Sequence, residues 1–225
     1  MSILVVIGAW FAMGTAYGAL IGDVFIGGYE VKFSVLISLI LTAAVVYWVK
    51  KTRGSLASLG FKRPQSWWRS GLVAIGMVIA IYASITAIMT GLSAIGMMPA
   101  APQDPSGMLV QGPSLAISLT FSLALMWACA AFGEELLFRG YLQSNLERAL
   151  GGENWRNGLV AALVVSLSFG AMHVPSQGMY GLIVTGVVGF LLGLFYLAGK
   201  RSLFRVVMAH GLINTTSFAL FAASA

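Results

Sequence analysis

The sequence predicts an all-α protein, a polytopic transmembrane bundle of about seven helices. Three observations predict it. Of 225 residues, 59% are hydrophobic and only 9% charged, whereas a soluble domain carries about a quarter charged residues. The mean hydropathy is +0.90. Apolar stretches long enough to cross about 30 Å of hydrocarbon recur along the chain, and charge gathers in the short connectors between them.

The first stretch, 3–22, lacks a basic flank and exceeds the short apolar run of a cleaved signal, so it reads as a retained helix. Its Gly14, Gly18 and Gly22 recur every fourth residue, a spacing that lets helix backbones approach closely. The second stretch, 33–49, runs into a loop, 50–66, holding Lys50, Lys51, Arg53, Lys62 and Arg63. The third, 67–93, opens on Trp67, Trp68 and Arg69, which suit a membrane–water interface. The fourth, 113–145, follows a connector whose only charge is Asp104. The last three are 158–174, 179–198 (with Gly189 and Gly193 again four apart) and 202–222. The chain therefore divides into residues 1–112, with three spans, and residues 113–225, with four.

Charge orients the bundle. Of thirteen Lys and Arg, eleven fall in or beside alternate connectors that share one side, Lys32 falls on the other side and Arg139 lies within a span. The positive-inside bias puts the N-terminus in the cytoplasm. The net charge of +6 serves orientation and anionic headgroups, which excludes nucleic acid as the expected partner. Cys129 is the only cysteine, so there is no internal disulfide and no thiolate metal cluster; it reads as a small apolar filler.

Ionisable groups inside spans are expensive and mark function. The fourth span contains Glu134, Glu135 and Arg139. Glu135 and Arg139, four apart, share a face within ion-pair reach, while Glu134 projects about 100° away. One carboxylate is thus neutralised and the other free. The only two histidines also lie in spans: His173, four after Phe169, and His210, four before Asn214. A carboxyl in a desolvated site is a general base near neutral pH. A histidine beside it helps orient water, and His and Asn donors on one helix face stabilise an oxyanion. Together these groups suit amide hydrolysis. Zinc held by two histidines and a glutamate is the alternative, although no His-Glu-x-x-His spacing supports it.

The ordered trio Glu-Glu-x-x-x-Arg, Phe-x-x-x-His and His-x-x-x-Asn on successive helices resembles the CPBP family of intramembrane proteases. These are the CAAX prenyl protease 2-like and bacteriocin-processing enzymes, also called Abi. The resemblance covers about residues 113–222, including EELLFRGYL at Glu134–Leu142. It implies a glutamic endopeptidase of the bacterial inner membrane with no cofactor, acting on a peptide or membrane-protein substrate. Glu134 would activate water with His173, and His210 and Asn214 would form the oxyanion site. Glu135 and Arg139 would support the architecture, and Phe169 would pack against the site. The turn Ala198-Gly199-Lys200-Arg201-Ser202 is more basic than the family's usual Thr-Gly-Ser type.

Two other functions suit the same residues. One is a non-catalytic binding, assembly or bacteriocin-immunity role for the cavity; the other is proton-coupled transport through Glu134 and His173.

A depth mismatch accompanies any such site. At about 1.5 Å per residue, Glu134 lies about 20 Å from Arg148 and His173 about 25 Å from Arg156, but His210 only about 8 Å from Arg205. Convergence requires the fourth helix to extend beyond the membrane, or some helices to tilt or break. The expected site lies near mid-membrane, in a cavity open to the cytoplasmic leaflet.

Overall fold

Local signals set the helix boundaries. The computed structural model describes residues 24–100 and 110–224, so the candidate span 3–22, with its three glycines, and Asp104 lie outside the described residues. Six long helices follow one another: α1 (Phe33–Arg53), α2 (Trp67–Ala94), α3 (Leu115–Ala149), α4 (Trp155–Met172), α5 (Val174–Ala198) and α6 (Leu203–Ser224). Ser66, Ser114 and Asn154 each stand in extended backbone just before a helix and accept a hydrogen bond from its first turn. These caps satisfy donors that a helix start leaves unpaired.

Helices α2 to α6 are long and apolar enough to cross a membrane. The protein is an integral membrane protein with an all-α polytopic architecture. Lipid-facing positions show the expected exposure of large apolar side chains, such as Leu72, Ile75 and Ile79 on α2 and Leu163 and Leu167 on α4. The buried faces meet in a core where Ala74, Met77 and Ile81 of α2 join Leu203, Val206 and Ile213 of α6 and Leu192 of α5. Tyr82 on α2 reinforces this contact by donating to the carbonyl of Ile213 (3.1 Å).

Small residues close the α4–α5 pair. A Cβ on Gly170 would lie 2.5 Å from the Leu182 carbonyl oxygen and 3.0 Å from the Cα of Gly186. Backbone cannot give way there as a flexible side chain would. Gly170→Ala is therefore expected to destabilise the bundle by about 1–3 kcal/mol, read as a lowered unfolding midpoint in a detergent titration. An unchanged midpoint would mean that α4 and α5 separate at no cost.

Two features depart from a plain helical bundle. A small antiparallel sheet forms on the connectors, with β1 (Val24–Ile26) and β2 (Tyr29–Val31) joined by a Gly27-Gly28 turn and β3 (Val110–Gln111) pairing with β2. Ser122 of α3 accepts the backbone N–H of Val110 at 3.0 Å and fastens the sheet to the bundle. The sequence reads both segments simply as connectors; β3 is two residues long and pairs with β2 nearly eighty residues earlier in the chain.

The second departure lies within α3 and bears on the depth of Glu134. Within α3, residues Met126–Glu134 and Leu136–Gln143 are π-helical. Hydrogen bonds from i to i+5 put more residues in each turn and shorten the rise, and such turns are rare and frequently lie at functional sites. Glu134 to Glu147 is thirteen residues along α3, while Arg201, in the turn before α6, is nine residues from His210. Both ends are nevertheless tied: Arg201 bonds Glu147, and His210 lies 4.0 Å from Glu134. In a regular α-helix the α3 stretch would rise about 20 Å. The widened turns at Leu136–Gln143 shorten that stretch and bring Glu134 closer to the level of His210.

Candidate active site

Position along each helix determines what the site side chains can reach. Glu135, on the inward face of α3, is fully buried, as is Arg139 one turn later. Arg139 donates through Nη1 to Oε1 of Glu135 at 2.7 Å and through Nη2 to the carbonyl of Gly189 at 2.7 Å. The glycine makes the second bond possible: a Cβ on Gly189 would stand 3.0 Å from the Phe169 ring and 3.4 Å from Nη2 of Arg139. The guanidinium also sits 4.9 Å from the centre of the Phe169 ring, a cation–π distance.

His210 on α6 is buried and donates from Nδ1 to the same Oε1 of Glu135 at 2.8 Å. A carboxylate only accepts, so the proton belongs on Nδ1. Nε2 then points toward Glu134, whose Oε2 lies 4.0 Å away. The adjacent glutamates are thus in different states. Glu135 is sealed and committed to two donors. Glu134 is 19% exposed and makes no hydrogen bond with any described residue.

His173 owes its place to the end of α4. The helix stops at Met172, Pro175 follows shortly, and Gly178 takes φ 60° and ψ −150°, a conformation open to glycine alone among common residues. The chain reverses there. The backbone N–H of His173 bonds Gly170 rather than Phe169, which leaves the Phe169 carbonyl unpaired by backbone. The His173 ring satisfies it, Nδ1 to O at 2.8 Å. A carbonyl only accepts, so this nitrogen too carries the proton and Nε2 is left with a lone pair.

Phe169 is 2% exposed and stands among these groups, with ring centres 4.9 Å from His173 and 6.2 Å from His210. Both histidines interact electrostatically with Glu134. Asn214, one turn beyond His210, is half-buried and makes no side-chain hydrogen bond with any described residue. The structure therefore gathers Glu134, Glu135, Arg139, Phe169, His173 and His210 around one point, with Asn214 on the same helix as His210. Cys129 is buried one turn and more before Glu134. Among the described residues, no group of three or more His, Cys, Asp or Glu is arranged to hold a metal ion.

Two residues of this network escape a motif-based reading. Gln143 is fully buried and donates to the carbonyl of Gly193 at 3.2 Å. Glu147 is also fully buried and pairs with Arg201. The signal that finds them is spacing: Glu135, Arg139, Gln143 and Glu147 recur every fourth residue and form one continuous polar stripe.

Residues 116–216, which span α3 to the middle of α6, match the family described as Rce1-like, type II CAAX prenyl endopeptidase Rce1-like. This segment, a little under half of the chain, is similar to the CAAX protease-like family. The glutamates, both histidines and Asn214 all lie within the matched segment. No curated protein and no solved structure gives a significant match.

Proposed function

We propose that this CAAX protease-like protein is an endopeptidase of a bacterial inner membrane that hydrolyses a peptide bond in a membrane-associated or leader-type peptide. The observation that carries the proposal is the split between the adjacent glutamates: Glu135 fully buried and doubly hydrogen-bonded, Glu134 open, unbonded and flanked by two histidines.

In the proposed reaction, Glu134 takes a proton from a water that the lone pair of His173 Nε2 helps orient. The hydroxide oxygen adds to the scissile carbonyl carbon, and the carbonyl oxygen becomes an oxyanion. His210 in its protonated form and the Asn214 amide donate to that oxygen. The protonated Glu134 then delivers its proton to the amide nitrogen as the C–N bond breaks and the carbonyl re-forms, releasing an amine and a carboxylic acid that loses its proton to solvent. Glu135 and Arg139 touch no reacting atom; they hold the His210 ring. No cofactor enters this scheme, with zinc as the alternative source of activated water, and the donor geometry favours the carboxyl. The partners are the peptide substrate and the bilayer, not nucleic acid. The N-terminus is cytoplasmic, by the charge bias of the connectors.

The test compares wild type with Glu134→Gln, expressed to equal levels in matched membranes, by mass spectrometry of released peptides. Fragments present with wild type and absent with the variant are expected, in the presence or absence of a chelator. Fragments lost on chelation would transfer water activation to a metal. Identical fragment sets from two folded proteins would leave the binding or immunity role instead.

A further inference from the structure

One end of the bundle holds a cavity unrelated to the proposed catalytic groups. It measures about 810 Å³ and is walled by three separate segments: the loop from Ala57 to Arg69, the C-terminal end of α3 with the following loop, and the α5–α6 turn. Six cations line it, namely Lys62, Arg69, Arg148, Lys200, Arg201 and Arg205, against the single carboxylate of Glu153. Glu153 is itself shared, 3.7 Å from both Arg148 and Arg201. Lys62, Lys200 and Arg205 have no ion pair or side-chain hydrogen bond with any described residue.

The floor of this cavity is rigidly built. Gly60, at φ 89°, packs directly against the Arg201 carbonyl, where a Cβ would collide with backbone. Leu203 donates its N–H to the Gly60 carbonyl at 3.0 Å. Tyr196 reaches the Leu59 carbonyl at 3.4 Å and the Ser144 hydroxyl at 3.0 Å. Lys200 and Arg201 are held at φ 56° and 57°, a left-handed conformation that costs non-glycine residues energy and persists only where surroundings enforce it. Arg201 is anchored by Glu147 below. Thus the backbone clamps two loops together and presents unpaired cations above them. Trp67, Trp68 and Trp155, all exposed at the start of α2 or α4, mark this end of the bundle as the level of the membrane interface.

We propose that this cavity binds a phosphate group, carried by the headgroup of an anionic phospholipid. Charge excess, hydroxyls from Ser66 and Ser202, size and interfacial level all suit that ligand. Basic pockets at helix ends recognise such headgroups in general.

The test uses the full chain in nanodiscs of phosphatidylcholine with graded phosphatidylglycerol, and follows lipid binding by native mass spectrometry. The variant pair Lys62→Gln with Lys200→Asn removes two cavity cations, asparagine being tolerant of the left-handed backbone. It is expected to weaken phosphatidylglycerol binding about 30-fold. Lys50→Gln with Lys51→Gln removes two exposed cations that do not line the cavity, and is expected to change binding less than threefold. Equal losses in the two pairs would show diffuse surface attraction and overturn the site. Binding of free glycerol phosphate as strong as that of the lipid, at matched concentration, would make the ligand a soluble phosphate and overturn the lipid assignment. Both variant pairs lie on the surface, so unchanged unfolding midpoints without added lipid verify that each is folded.

Discussion

Arg139→Met is expected to destabilise the bundle by about 3–5 kcal/mol, among the largest effects of any single substitution in this chain. Methionine fits the space of the stem but leaves Glu135 with a buried charge and only His210 as a partner. It also abandons the Gly189 carbonyl. Glu135→Gln is the informative counterpart. In the native pair Oε1 of Glu135 accepts from both Arg139 and His210, while Oε2 has no partner. A glutamine can keep its carbonyl oxygen where Oε1 stands and put its amide nitrogen where the unpaired oxygen stood. Both bonds to Oε1 survive, so the cost measures the stranded Arg139 cation together with an amide NH2 that has no partner. The double variant, Glu135→Gln with Arg139→Met, removes both charges and is expected to be less destabilised than the sum of the singles by at least about 2 kcal/mol. Equilibrium unfolding of the full chain in mixed micelles supplies the three values. Single-variant costs under about 1 kcal/mol, or strict additivity, would mean that the pair is hydrated and not a sealed ion pair.

The same pair illustrates what the sequence reveals and what it hides. Glu135 and Arg139 are four apart on one helix, and local spacing alone brings them together whatever the tertiary fold. The apolar stretches are equally legible, because each reflects transfer into lipid residue by residue. Long-range features are not. Nothing local tells that α3 widens to π turns between Met126 and Gln143, or that Glu134 and Glu147 meet His210 and Arg201, more than fifty residues away. Counting 1.5 Å per residue on α3 therefore misplaces Glu134 against His210. His173 is an intermediate case. Its residue type and span are visible, and Pro175 and Gly178 signal a break, but the transfer of the Phe169 carbonyl from backbone to imidazole depends on how α4 ends. The Glu135–Arg139–Gln143–Glu147 stripe was accessible to simple periodicity, yet only burial separates such a stripe from a solvated helix face.

Asn214→Ala is expected to lower kcat by about 10²–10³-fold while leaving the unfolding midpoint unchanged or raised. The two halves of that expectation have one cause. Asn214 is half-buried in α6 and bonds no described residue, so its amide contributes no stabilising contact to the bundle. An unpaired amide in an apolar setting carries a cost, and alanine removes it. If Asn214 donates to the oxyanion, its hydrogen bond exists only when substrate is turning over, and its loss appears in kcat alone. His210→Ala cannot separate these effects, because the ring is also tied to Glu135 and its removal disturbs the buried ion pair. Asn214→Asp keeps the shape, exchanges donors for acceptors and is expected to be at least as inactive. The rates are to be measured on the peptide that the fragment comparison identifies, at saturating substrate. Activity of Asn214→Ala within threefold of wild type would remove Asn214 from the oxyanion site, leaving the developing charge to His210 Nε2 alone.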